Sequence, residues 1–226
     1  MKKYELTGET IVYLGHTLHR IRALISFNDV QAGDLGGWIE TEDNLDQDRS
    51  AWVYGDARVY GDAQVCGDAR VYGNASVCGD ARVYGNASVC GNAEVYGNAS
   101  VCGNAEVCGD ARVCGNARVC GNAEVYDNAE VYGNARVCGD AQVCGNDTWM
   151  TFGPAGSRND FTTFFACADG GIGVKCGCFH GNLDDFAAKV QATHGDNDHA
   201  KVYNAAIEAA KMRICVGEKE AAEACL

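Results

Sequence analysis

Cysteine is the residue whose abundance first suggests chemistry: the chain has 14 in 226 residues. Nine of them directly follow a valine in a strict six-residue period, and tyrosine fills that place in the other seven repeats. Taken 18 residues apart, one set reads Cys66, Tyr84, Cys102, Cys120 and Cys138. Three consecutive thiols invite a metal. A flat row at strand spacing cannot surround Zn²⁺ tetrahedrally, however, and C-x-x-C spacing is missing. The expected role is a ladder of like side chains over a sheet, with cysteine acting as a small hydrophobe. Farther along stands Cys176-Gly177-Cys178-Phe179-His180. Strand alternation would put both sulfurs on one face. A redox pair would prefer C-x-x-C, and a Zn²⁺ site would need a fourth ligand such as His194 or His199. Cys176, Cys178 and His180 are therefore weak metal candidates, structural thiols are expected, and no metal or cofactor is assigned.

The most site-like stretch is Gly153-Pro154-Ala155-Gly156-Ser157-Arg158-Asn159-Asp160-Phe161-Thr162-Thr163. Gly153 and Gly156 can expose backbone N–H groups. Ser157, Thr162 and Thr163 add hydroxyls, and the Arg158 fork fits phosphate or carboxylate. The Lys-Ser/Thr ending of a P-loop is absent. The competing reading is a linking turn in which Arg158 pairs with Asp160. Arg118 and Arg136, 18 residues apart, can also hold an anion or simply decorate a solvated face. The five histidines, His16, His19, His180, His194 and His199, all lie outside 53–147, which argues against general-base catalysis within the repeats.

The elements that must position these groups follow from the repeat. From Val53 the register runs unbroken through sixteen hexads to Asp147. Valine recurs every six residues with alanine two before it, so alternation places both on one side, which must be the interior. Gly followed by Asp or Asn punctuates each hexad, except where Asp127-Asn128 stands instead. Glycine tolerates positive φ, and Asp and Asn accept the left-handed region. Each hexad is thus a short strand and a bend, and three hexads make an 18-residue triangular coil. About five coils stacked at ~4.8 Å give a prism roughly 25 Å long.

A stacked solenoid needs caps. Residues 1–52 form the N-terminal cap, with strands around Ile11–Leu14 and Leu18–Ile25 and a tight bend at Gly33–Gly37. The repeat region spans 53–152, closed by Trp149, Met150 and Phe152. Residues 153–226 form a ββαα module. Its hairpin turns at Ala168–Gly171, one helix is capped by Asn182 and ended by Gly195, and a second is capped by Asp198. The tail from Gly217 to Leu226 reads as a short helix or a frayed end.

With an aliphatic residue at i and a small one at i−2, the repeat resembles the hexapeptide-repeat left-handed parallel β-helix. That resemblance alone supplies the handedness. The N-terminal segment is similar to one on bacterial and phage hexapeptide proteins often named transferases without demonstrated activity, and the C-terminal segments resemble a phage or prophage module. Hexapeptide acyltransferases carry a catalytic histidine near a subunit interface and a loop breaking out of the coil. This chain has neither in its repeats, and for the same reason it lacks the three histidines of zinc-binding β-helical carbonic anhydrases.

The formal charge of −13, from 18 basic and 31 acidic residues, argues against a general nucleic-acid binder. No apolar run approaches the ~20 residues of a membrane helix. The start lacks an apolar leader, so the cysteines read as reduced cytoplasmic thiols. The expected fold class is mainly β: a parallel β-helix with an N-terminal β cap and a small C-terminal α+β module. The expected function is a non-catalytic binding or scaffold protein. It would be phage- or prophage-related, sequestering a nucleotide-like or other anionic small molecule or inhibiting a host protein. A degenerate hexapeptide acyltransferase is the alternative. The Tyr/Cys faces are more apolar than a solvated surface should be and invite a homo-oligomer, trimer or dimer.

Overall fold

The computed structural model describes residues 2–156 and 158–216. It divides into two compact units, Met1–Asn146 and Asp147–Leu226.

In the first unit sixteen two-residue strands, each ending on a repeat valine, run from Trp52–Val53 to Gln142–Val143. Strands 18 residues apart pair in parallel and in register: Val101 lies beside Val83 and Val119, and Val89 beside Val71 and Val107. The ladder continues between paired residues, with Ser100 N donating to Ala117 O at 2.9 Å and Cys102 N to Val119 O at 2.9 Å. Every repeat alanine and valine from Ala57 to Val143 is 0% exposed. The interior is therefore the one that the six-residue period requires.

The bends stack glycine on glycine. Gly91 sits at φ +69, and a Cβ there would lie 2.8 Å from Gly109 O. Asp127 occupies the same kind of corner at φ +56, a conformation that favours glycine by about 1 kcal/mol. Asp127→Gly is accordingly expected to raise the unfolding midpoint of this unit slightly in a denaturant titration. An unchanged or lower midpoint would show that the aspartate side chain compensates for its backbone.

The Asn/Asp position does more than tolerate the bend. Along one edge Asn86 Nδ2 donates to Asn104 Oδ1, Asn104 to Asn122, and Asn122 to Asp140, each at 3.0 Å. A carboxamide both donates and accepts, so a row of them is self-satisfying, and an aspartate can end it as the terminal acceptor.

The N-terminal segment forms β1 (Tyr4–Tyr13), β2 (His16–Ala23) and β3 (Leu35–Ile39). The β1–β2 hairpin turns at Leu14 and Gly15, both at positive φ. β3 joins the solenoid directly: Ile39 pairs with Val59 in parallel, and Leu45 bridges Val65. The coil therefore begins two sides before Val53, which completes its first turn. Ile39 and Leu45 keep the six-residue step, and two extra residues separate Leu45 from Val53. This first turn is closed by polar groups aimed at the coil end. The Asn44 amide donates to Gly61 O and Ala63 O, both at 2.9 Å, and accepts from Glu40 N and Thr41 N. Lys3 Nζ, on a side chain folded inside, donates to Arg49 O and Ala51 O at 2.8 Å, and burial pulls its pKa down to about 8.

The second unit is an antiparallel sheet of four strands, Trp149–Ala155, Asp160–Ala166, Ile172–Cys176 and Phe179–Asn182, followed by α1 (Leu183–His194) and α2 (Asp198–Arg213). Phe164, Val174, Phe186, Val190, Tyr203 and Ile207 form its core. The expected hairpin turns at residues 167–171, with Cys167 N donating to Gly171 O. Asn182 caps α1 through Asp185 N at 2.8 Å, and Gly195 ends it at φ +55. Three expectations need correction. Trp149, Met150 and Phe152 open the first strand of this sheet, where Met150 and Phe152 pack against the helix-backed core. The sheet has four strands and not two, because that segment adds one and Gly177 splits the Cys-rich strand. Asn197, one residue earlier than Asp198, caps α2 by accepting from Ala200 N. The segment 217–226 and Ser157 lie outside the described residues.

Candidate functional site

Two surfaces carry chemistry, one in each unit. In the second unit, Cys176 and Phe179 are paired ends of neighbouring strands, so Gly177 and Cys178 form a two-residue hairpin turn, with Gly177 at φ +57. Such turns favour a glycine at their first central position. The turn corrects the expectation that both sulfurs share a strand face: Cys176 ends its strand, and Cys178 stands exposed at the tip. Arg158 reaches across from the Gly156–Asn159 turn and donates Nη1–H to Cys178 Sγ at 3.4 Å. Arg158 thus meets a thiol. Its guanidinium, hydrogen-bonded to the sulfur, lowers the Cys178 pKa.

Among the described residues of the candidate anion loop, Gly156, Thr162 and Thr163 do not form a cradle with Arg158. Thr162 and Thr163 are each 1% exposed, because both lie within the strand Asp160–Ala166. The Thr162 hydroxyl donates to Cys176 Sγ at 3.1 Å, and Cys176 Sγ lies 3.9 Å from Tyr203 Oη. Gly156 packs beneath the Tyr203 ring: a Cβ there would lie 1.9 Å from Tyr203 Oη. That glycine serves close packing, not an open nest of N–H groups. His180 is exposed on the last strand, paired across from Lys175. His194 and His199 face one another, with ring centroids 5.6 Å apart, and neither joins the two cysteines in any metal-binding group. No cluster of three or more metal-ligating His, Cys, Asp or Glu occurs among the described residues.

The first unit presents its flat outward rows. On the face ending at Val137 the residues before each valine are Gln64, Arg82, Ser100, Arg118 and Arg136, and those after it are Cys66, Tyr84, Cys102, Cys120 and Cys138. No acid stands in either row. Arg118 and Arg136 are in-register neighbours, and the Tyr84 hydroxyl hydrogen-bonds Arg118, favouring its charged form. The thiols of Cys102, Cys120 and Cys138 hydrogen-bond along the row; the bond to Cys120 pushes Cys102 up.

The other two faces differ. On one, Arg112 lies between Glu94 and Glu130, at 3.4 and 3.3 Å, so its charges cancel. On the other, Glu106 sits beside Glu124, and Gln142 Nε2 donates to Glu124 at 3.2 Å. Cys90 on that face drops to about 7 through the hydrogen bond from Cys108. At the start of the neutral face the N-terminal hairpin covers Tyr60 with Tyr13 and His16, at centroid distances of 5.8 and 5.0 Å. The arginine-only face was half legible in sequence: Arg118 and Arg136 were adjacent by spacing, but the contrast between faces emerges only when all three are laid side by side. The Arg158–Cys178 contact had no sequence signal, since it depends on where two turns meet.

Residues 63–79, 77–91, 111–127 and 129–145 match the family model described as the YdcK beta solenoid repeat. No curated protein matches the chain. Four segments that fit a solenoid repeat, wound here into in-register parallel coils around a valine–alanine interior, make this chain a repeat β-solenoid protein.

Proposed function

We propose that the protein is a binding scaffold whose arginine face takes a phosphate-bearing ligand. The observation that carries this is the placement of Arg82, Arg118 and Arg136 on one face with no carboxylate in its two outward rows, in a chain of net charge −13. Guanidinium forks one rung apart, at ~4.8 Å, can straddle the oxygens of a phosphate or diphosphate. A rigid ladder holds them there without loop ordering, which lowers the entropic cost of binding. The stretch from Gly156 to Thr163 offers less, because its threonines are buried in a strand and its arginine rests on Cys178. A prophage origin, to which the resemblance of the end segments points, would make that ligand, or a protein bearing it, a host component. Self-association through the remaining Tyr/Cys surface would multiply the sites on one particle.

Isothermal titration of ATP, ADP and pyrophosphate tests the reading. The wild type and Arg158→Ala are expected to give the same heats. Arg118→Ala/Arg136→Ala is expected to lose affinity at least tenfold, consistent with the removal of two charge-assisted bonds. Equal binding by the double variant, or no heat from the wild type with any of the three, would overturn it.

A further inference from the structure

We propose that the arginine face binds a nucleoside diphosphate, with its base stacked on the Tyr84 ring and its phosphates held by Arg118 and Arg136. The assignment rests on this face taking phosphate, as proposed above, and adds what the rest of the ligand is. Tyr84 follows Val83, and Arg118 precedes Val119 two rungs farther along the same face. The Tyr84 hydroxyl nevertheless hydrogen-bonds Cys102, one rung on, and Arg118. A ring standing perpendicular to the sheet would not reach two rungs, so Tyr84 leans along the solenoid axis and lies over the next coil. That rung has room for it, because its outward residues Ser100 and Cys102 are small. A ring laid down in this way turns one π face to the sheet and the other to solvent, and Tyr84 is half-buried, as that requires.

Three other repeat tyrosines show what is particular to Tyr84. Two rungs beyond Tyr60, Tyr72 and Tyr96, the place of Arg118 is taken by Glu94, Glu106 and Glu130. An aromatic platform whose tip meets a guanidinium thus belongs to the arginine face. Arg136 lies one rung past Arg118, which puts its anchor ~14 Å from that of Tyr84 along the axis. The leaning ring covers about a third of this, leaving roughly 10 Å to the outer arginine, the reach of an extended nucleoside diphosphate from base to terminal phosphate. The two guanidinium forks divide the phosphate oxygens between them. The stacked base gains a surface that tolerates any base, since every base has a π face. A bare diphosphate would leave that surface unused, so the face selects nucleotides over inorganic diphosphate and discriminates little among bases.

The test is the ratio of two affinities, for ADP and for pyrophosphate, measured by calorimetric titration of the full-length protein. The wild type is expected to prefer ADP about tenfold, as one stacked base supplies. Tyr84→Leu is expected to lose most of that preference. Tyr84→Phe, which keeps the π face, and Tyr96→Leu, on another face, are expected to retain it. The ratio cancels any weakening of both ligands that follows from losing the hydroxyl on Arg118. Far-UV circular dichroism checks that the variants keep the solenoid. Magnetic resonance of the wild type with ring-labelled tyrosine stands independently of them: one tyrosine signal is expected to move upfield with ADP and not with pyrophosphate. Three results would overturn the stacking and leave the phosphate reading standing: arginine-dependent pyrophosphate binding with no preference for ADP, a preference untouched by Tyr84→Leu, or one lost equally in Tyr96→Leu. Binding of neither ligand by the wild type would overturn both.

Discussion

Val101→Asp is expected to abolish the folded solenoid, while Ser100→Asp, one residue away, leaves it standing. Val101 is 0% exposed and stacks between Val83 and Val119 in the axial interior. No donor or cation reaches that space, since the interior consists of repeat valines and alanines. An unpaired carboxylate there costs several kcal/mol even after protonation, a large share of the ~5–15 kcal/mol by which a domain is stable. The damage propagates, because each coil contacts only its neighbours and a broken rung uncaps both. Ser100 points outward between Arg82 and Arg118, where an added carboxylate meets two cations. Far-UV circular dichroism and limited proteolysis read the pair. Tolerance of Val101→Asp, or failure of both variants, would show that the inward and outward assignments are wrong.

Asn44→Leu is expected to destabilise the first unit by about 3–5 kcal/mol, because it removes four bonds of roughly 1 kcal/mol each and leaves buried backbone groups unpaired. The amide fills the end of the coil, donating to Gly61 O and Ala63 O and accepting from Glu40 N and Thr41 N. Asn44→Asp separates the two halves of that role. It keeps the acceptor but turns a carboxylate oxygen towards two carbonyls, so it is expected to be nearly as harmful at neutral pH and milder in acid, where the protonated carboxyl can donate once. The unfolding midpoint of the first unit in denaturant is the readout, and a midpoint unmoved by either substitution would remove Asn44 from the cap.

The regular coils were open to reading from the chain because a single period fixes them: valine every six residues, alanine two before it, and a glycine corner. The first turn was hidden because Ile39 and Leu45 keep the step but lose the Gly-Asp/Asn punctuation, and two inserted residues shift Val53 out of register. The strand at Trp149–Ala155 is hidden for a different reason. Trp149, Met150 and Phe152 are apolar in a pattern that suits a plug as well as a strand, and only the tertiary pairing of Met150 with Phe164 decides it. The candidate sites divide along the same line. Rows on the solenoid follow from counting by 18. The Arg158–Cys178 pair links residues 20 apart through two irregular turns, and no periodicity encodes that.

The stacking of residues 18 apart is best tested by amide nuclear Overhauser contacts in the segmentally labelled protein. Ser100 should show cross-peaks to Arg82 and Arg118, and Glu94 to Ser76 and Arg112, the partners that the in-register ladder gives them. Contacts between residues 12 apart would instead describe a two-sided coil, and sequential contacts alone would leave no solenoid at all.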